Sequence, residues 1–177
     1  MQPTGWYVIT GAPCAGKTSV VLNLERRGYP VVHETARAYI EERQSAGESL
    51  ALIRSDELAF EREILRRKIE IEASLPPGRI TFLDRGVPDS IAYFRNADLD
   101  PNECFTAAQT FRYAGVFFLE RLGLQADPVR IEDDHVAARL EILLDQAYRE
   151  LGYTPVRIPL RPVSERIAMI LSQIEAV

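Results

Sequence analysis

The sequence predicts an α/β fold in a single domain, a parallel sheet with helices on both faces, and three observations carry that prediction. Short apolar runs alternate with longer amphipathic stretches along the whole chain. The first run, Trp6-Tyr7-Val8-Ile9-Thr10, passes directly into Gly11-Ala12-Pro13-Cys14-Ala15-Gly16-Lys17-Thr18, a complete G-x-x-x-x-G-K-T loop of the kind that joins a buried strand to a helix. With 177 residues, 46% hydrophobic and 27% charged, the chain can bury a sizeable core without a second domain, so residues 1–177 are read as one unit.

The elements follow in order. Trp6–Thr10 is β-branched and aromatic, hence a strand. The loop after it has a physical task at each position: Gly11 and Gly16 allow backbone angles closed to other residues, so successive N–H groups turn inward as an anion nest over residues Ala12, Pro13, Cys14 and Ala15. A helix over 17–27 adds its positive N-terminal end, with Lys17 as a mobile charge for phosphate and Ser19 in the first turn; Gly28 stops it. Pro30–Glu34 is the second strand, followed by helices at 35–46 and 51–74. Arg79–Asp84 is the third strand, followed by helices at 87–97 and 102–112. Gly115–Glu120 is the fourth strand. Residues 121–134 are polar, contain Gly and Pro, and read as a lid with two arginines, Arg121 and Arg130. Leu140, Leu143, Leu144, Ala147 and Leu151 form the apolar stripe of a helix over 134–151 that Gly152 ends. Thr154–Pro159 is the fifth strand, and Val163, Ile167, Ile170, Leu171 and Ile174 stripe a last helix over 163–175.

Composition excludes several classes. The net charge of −5 argues against general nucleic-acid or anionic-membrane binding, which both need a concentrated basic surface. Cys14 and Cys104 fit no metal or disulfide spacing and read as free thiols. No apolar run approaches a membrane span and no charged leader precedes the first strand, so a soluble, cytoplasmic protein is expected.

In such sheets ligands gather at the carboxyl ends of the strands. Three of those ends carry chemically pointed residues: the loop after Thr10, His33-Glu34, and Asp84-Arg85. A carboxylate at the end of Ile80-Thr81-Phe82-Leu83 is costly to bury without a cation, so Asp84, with the Thr18 hydroxyl, is a candidate Mg²⁺ ligand; the alternative is a local ion pair or turn cap. Glu34 is placed either to take a proton from an attacking hydroxyl or to stabilise the first turn of the following helix. His33 points to the opposite face and is read as structural, and His135 as a surface residue.

Four segments carry a resemblance to a known family. They are residues 9–18, Arg27-Gly28-Tyr29-Pro30-Val31-Val32-His33-Glu34-Thr35-Ala36-Arg37, Phe82-Leu83-Asp84-Arg85-Gly86-Val87-Pro88-Asp89-Ser90-Ile91-Ala92-Tyr93, and Tyr148-Arg149-Glu150-Leu151-Gly152-Tyr153. Together they resemble the small P-loop kinases, and within them the AAA-type NTPase domain family that includes the ribosylnicotinamide kinase domain of NadR. Asp-Arg followed by Ser-x-Ala-Tyr also resembles nucleoside and thymidylate kinases. The resemblance implies a three-layer P-loop NTPase fold with a five-stranded sheet of order 2-3-1-4-5. It also implies ATP with Mg²⁺ on the phosphate loop, and an acceptor pocket beside Glu34, Arg37 and Arg85. Asp127-x-x-Arg130 resembles the family's lid pattern, although the usual proline-rich, aromatic opening is replaced by Glu120-Arg121-Leu122-Gly123-Leu124.

The expected function is transfer of the γ-phosphoryl group of ATP to a nucleoside-like or other hydroxyl acceptor, with Lys17, Glu34, Asp84, Arg85 and Arg130 as catalytic candidates. A nucleotide-dependent switch without catalysis and a plain ATPase are the alternatives; no N-K-x-D guanine-reading motif is present. Tyr39, Phe60, Tyr93, Phe94 and Arg95 are candidates to line the acceptor pocket.

Overall fold

The computed structural model describes residues 1–121 and 131–175. Its strands are β1 (Gln2–Pro3), β2 (Trp6–Thr10), β3 (Val31–Val32), β4 (Thr81–Asp84), β5 (Phe111–Arg112), β6 (Gly115–Leu119) and β7 (Val156–Ile158). Its helices are α1 (Lys17–Arg26), α2 (Thr35–Ser45), α3 (Leu50–Ile53), α4 (Glu57–Ser74), α5 (Asp89–Asn96), α6 (Asn102–Ala108), α7 (Ile131–Glu150) and α8 (Val163–Glu175).

Five strands form a parallel sheet in the order β3-β4-β2-β6-β7, which is the expected 2-3-1-4-5 order when its strands are counted along the chain. Strand β2 is central and every residue in it is buried. Its alternation sorts the core into two layers: Trp6 and Val8 pack with Leu83, Ile91, Val116 and Tyr148 on one face, while Tyr7 and Ile9 pack with Val20, Leu24, Phe82, Phe117, Ile167 and Ile170 on the other. The first layer is covered by α4 to α7, the second by α1 and α8. The predicted stripes of α7 and α8 are thus core, as Leu144, Ala147, Ile167 and Ile170 are buried.

Three boundaries differ from the sequence reading. The helix expected over 51–74 breaks at Arg54-Ser55-Asp56, because a second N-cap lies within it: Ser49, just before it, accepts from the Leu52 N–H at 3.2 Å, and Asp56 inside it accepts from the Ala59 N–H at 2.9 Å. The helix expected to reach residue 112 ends at Ala108, and Phe111–Arg112 instead pairs with Gln2–Pro3 in a two-stranded parallel sheet. Tertiary contacts explain this: the Phe111 ring packs 4.9 Å from that of Trp6, and Arg112 donates to the Leu151 and Gly152 carbonyls at 2.8 and 2.7 Å. The second and fifth sheet strands are shorter than expected, two and three residues long. Among the described residues no helix is long and apolar enough to cross a membrane, and both cysteines are free.

Candidate active site

The loop between β2 and α1 has the backbone its glycines predict. Gly11 has φ of 137° and Gly16 of 82°. A Cβ on Gly11 would lie 2.5 Å from the Leu119 carbonyl oxygen, so the loop crosses the end of β6 too closely for any side chain there. Gly16 caps α1 without a side-chain hydrogen bond, which leaves the first helical N–H groups directed at the loop's concavity. Arg166, an arginine inside the apolar stripe of α8, fastens the loop from behind. Its guanidinium donates to the carbonyls of Ala15 at 2.6 Å, Glu120 at 2.7 Å and Pro159 at 3.0 Å. One side chain thus ties the loop to the ends of β6 and β7.

Lys17 is buried and donates from Nζ to the Ala12 carbonyl at 3.0 Å. Burial and the nearby Arg85 charge lower its pKa to about 8, against the pull of Asp84, Glu34 and Asp89. Asp84 ends β4, is buried, and has its pKa raised to about 6 by burial, with Lys17 opposing. Its Oδ1 has no hydrogen-bond partner among the described residues. A buried carboxylate with an orphaned oxygen is costly without a cation, so the chemistry of Asp84 suits one, and Thr18, in the first turn of α1, offers an exposed hydroxyl.

Arg85 adopts φ of 71°, the left-handed region that ordinarily favours glycine. That turn directs its buried guanidinium back over the loop, where it meets the Gly11 carbonyl at 3.2 Å, Glu34 Oε1 at 3.2 Å and Asp89 Oδ1 at 3.1 Å, with the Tyr93 ring 5.2 Å away. Glu34 keeps its carboxyl below the usual range: burial pushes it up, but the Arg85 and Lys17 charges outweigh it. Glu34 makes no cap hydrogen bond to α2, and its carboxylate pairs with Arg85 instead. Arg37 reaches Glu34 Oε2 only at 3.8 Å and is mostly exposed.

Asp89 is a residue whose role sequence reasoning missed, although it stands in the Asp84-Arg85-Gly86-Val87-Pro88-Asp89 segment. It is fully buried and accepts from Thr10 Oγ1 at 2.7 Å, Arg85 at 3.1 Å, the Gly86 N–H at 3.0 Å and the Tyr148 hydroxyl. Burial alone would raise its pKa; Arg85, Lys68, Tyr148 and Thr10 hold it lowered.

Beside the loop lies a cavity of about 470 Å³. Pro13 of the loop, Glu34, Arg37 and Arg85 line its near side, and Phe60, Glu61, Ile64, Lys68 and Tyr93 are further lining residues. Of the residues expected to line an acceptor pocket, Phe60 and Tyr93 line this cavity. Tyr39 and Phe94 are instead buried in the core and Arg95 is paired with Glu150 at 2.9 Å. Glu61 and Lys68 left no legible sequence signal, since charged residues within a long helix read as a solvated face. Lys68 donates to the Gly86 carbonyl at 3.1 Å and Ser90 Oγ at 3.2 Å, and burial lowers its pKa. Among the lid candidates, Arg121 lies 3.4 Å from Glu141 of α7, and Arg130 falls outside the described residues.

A model of a family described as an AAA domain matches residues 6–166. No curated protein matches the sequence. Among solved structures, deoxyadenosine kinase from M. mycoides superposes with a TM-score of 0.67 at 13% identity, covering 97% of this chain and 100% of that one. Thymidylate kinase from Ehrlichia chaffeensis gives 0.69 at 12% identity, covering 98% and 99%. The NadR protein in complex with NR gives 0.71 at 14% identity, where the match covers 97% of this chain but 48% of the other. At such identities these likenesses establish the fold, that of the P-loop kinases.

Proposed function

The chain belongs to the AAA domain family, and from that premise we propose that it is an ATP-dependent kinase acting on the hydroxyl of a nucleoside-sized small molecule. The observation that carries the reading is the shared boundary between the phosphate loop and the 470 Å³ cavity, where Pro13, Glu34 and Arg85 line a space of ligand size. Hydrolysis alone needs no such second compartment.

The chemistry follows from the charges. The loop N–H groups and Lys17 bind the β- and γ-phosphates. Asp84 and Thr18 would hold magnesium, which when bound neutralises charge on those phosphates. The acceptor oxygen attacks the γ-phosphorus, the bond to the β–γ bridging oxygen breaks, and ADP leaves; the hydroxyl proton passes to Glu34. With its carboxyl held ionised by Arg85, Glu34 orients the hydroxyl and accepts the proton late, which suits a loose transition state that asks for positioning more than strong basicity. Arg85 is already bound by Glu34, Asp89 and Gly11, and Lys68 by Gly86 and Ser90, so those two cations have little left for a phosphate on the acceptor. The deoxyadenosine kinase and NadR likenesses support the same substrate class. The free state of Cys14 and Cys104 supports a reducing, cytoplasmic setting.

The test is ADP release from Mg·ATP with a nucleoside panel. Acceptor-dependent release supports the proposal; release at the same rate with and without every acceptor makes the protein an ATPase, and the cavity then has another use.

A further inference from the structure

The wall of the cavity contains a group that the transfer chemistry does not use. Glu61 lies on α4 and is 4% exposed. It lines the cavity, where no hydrogen bond to its carboxylate is formed among the described residues, and its oxygens are not among the fully buried, unpaired side-chain atoms, so they keep access to the cavity's solvent. Lys68, on the same helix, feels its charge but spends its own hydrogen bonds on Gly86 and Ser90. Arg54 pairs with Glu57 and rests 4.4 Å over the Phe60 ring. The surrounding wall of Phe60, Ile64, Ile40 and Tyr93 is apolar or aromatic.

A buried carboxyl without a donor is costly, and ionised it offers only acceptor sites. At Glu61 that demand falls on water in the cavity, which a ligand's donors can replace. Burial pushes the Glu61 carboxyl to about 6, so at neutral pH the ionised form still predominates and calls for a donor. Phe60, Tyr93, Ile64 and Ile40 offer a flat ring aromatic and branched surface beside Glu61, while the polar lining residues Glu41 and Gln44 belong to the same cavity.

We propose that Glu61 reads the head group of the acceptor, and that this head is a heterocycle carrying N–H donors as an exocyclic amine or carboxamide. The inference rests on the cavity being the acceptor site. A site built around a hydrogen-bonding group rejects an analogue lacking it far more strongly than an apolar pocket rejects a missing methylene, because the buried polar atom is left unpaired.

The experiment is calorimetric titration of the full chain, loaded with magnesium and a non-hydrolysable ATP analogue at pH 8, with three matched pairs of ribosides. These are adenosine and purine riboside, cytidine and pyrimidin-2-one riboside, and nicotinamide riboside and ribosylpyridinium; each second member lacks the donor without added bulk. At least one donor-bearing member should bind tenfold or more tightly than its partner. Glu61→Gln should erase most of that ratio and Glu61→Asp retain part of it, with the affinity for the ATP analogue unchanged in both. Equal affinity within every pair, an unchanged ratio in Glu61→Gln, or no saturable riboside binding would overturn the proposal. Glu61→Asp serves as the informative variant if Glu61→Gln loses its thermal transition. Binding with the predicted ratio but without ADP release on exchange to ATP would leave the reading of Glu61 standing and refute the kinase.

Discussion

Replacing Asp89 by Asn tests whether the site is held together by one buried carboxylate. Asp89 accepts from four groups, Thr10, Arg85, Gly86 and Tyr148, and an amide keeps only one oxygen to accept with while its NH₂ faces donors. Removing one partner of a buried ion pair costs about 3–5 kcal/mol. Glu34 still faces Arg85 at 3.2 Å and keeps the loss near the lower end, whereas the orphaned donors add about 1–3 kcal/mol. A net of about 4 kcal/mol in a chain of 177 residues corresponds to a fall in Tm of roughly 10 °C. The assay is thermal unfolding followed by circular dichroism at pH 7, with Thr10→Val, which removes a single donor, expected to cost about 1 kcal/mol. The folded-state pKa of Asp89 is lowered, so its contribution is present above the unfolded value and lost as pH falls through the folded value. The gap between Asn variant and wild type therefore narrows in acid below about pH 4. An Asp89→Asn Tm within about 2 °C of wild type at pH 7 would refute the hub reasoning and leave Glu34 as a sufficient counter-ion for Arg85.

Lys17→Ala should weaken nucleotide binding and turnover together, while Glu34→Gln spares nucleotide affinity and lowers kcat by about 10²–10⁴; equal loss of nucleotide affinity in both contradicts the role given to Glu34. Burial raises the Glu72 carboxyl to about 7 despite hydrogen bonds from Tyr113 at 2.8 Å and Val87 N–H at 3.0 Å, so its stabilising protonated form is present in acid and lost as pH rises towards 7. Glu72→Gln should accordingly gain roughly 3 kcal/mol relative to wild type between pH 4.5 and 8 in denaturant titrations, and a pH-independent difference would count against it. Arg166→Ala should raise the nucleotide Kd about tenfold, by freeing the Ala15 carbonyl, without altering riboside binding; a shift in riboside affinity would mean that the loop and cavity are coupled differently.

The fold was legible because it rests on local regularities. Apolar strands buried on both faces, the loop glycines and the 3.6-residue stripes of α7 and α8 each speak through neighbouring residues. The break at Ser55 and the strand at Phe111–Arg112 were hidden for opposite reasons: a cap competing inside a helical pattern in the first, and contacts with Trp6, Leu151 and Gly152, far away in sequence, in the second. At the site, Lys17 could be found through the loop motif, and Glu34, Asp84 and Arg85 because they stand at or just after strand ends. Asp89, Glu61, Lys68 and Arg166 sit within helices, where a charge ordinarily marks a solvated face, and only the tertiary packing shows that each is turned inward. The left-handed backbone at Arg85 was equally silent, since arginine is not a residue that announces such a turn.

The central place of β2 has a consequence for how the molecule comes into being. Trp6 pairs with Thr81 and Tyr7 with Gly115, so the fully buried central strand of the sheet is synthesised before either neighbour. At about 5–20 residues per second on the ribosome, Trp6–Thr10 waits several seconds for β4 and longer for β6. During that interval an apolar, β-branched segment has unsatisfied edges on both sides and is open to chaperones or to a second nascent chain. The glycine-rich loop that follows is polar at its backbone and poor in strand propensity, which limits the length of the exposed segment and ends it where the proposed phosphate site begins.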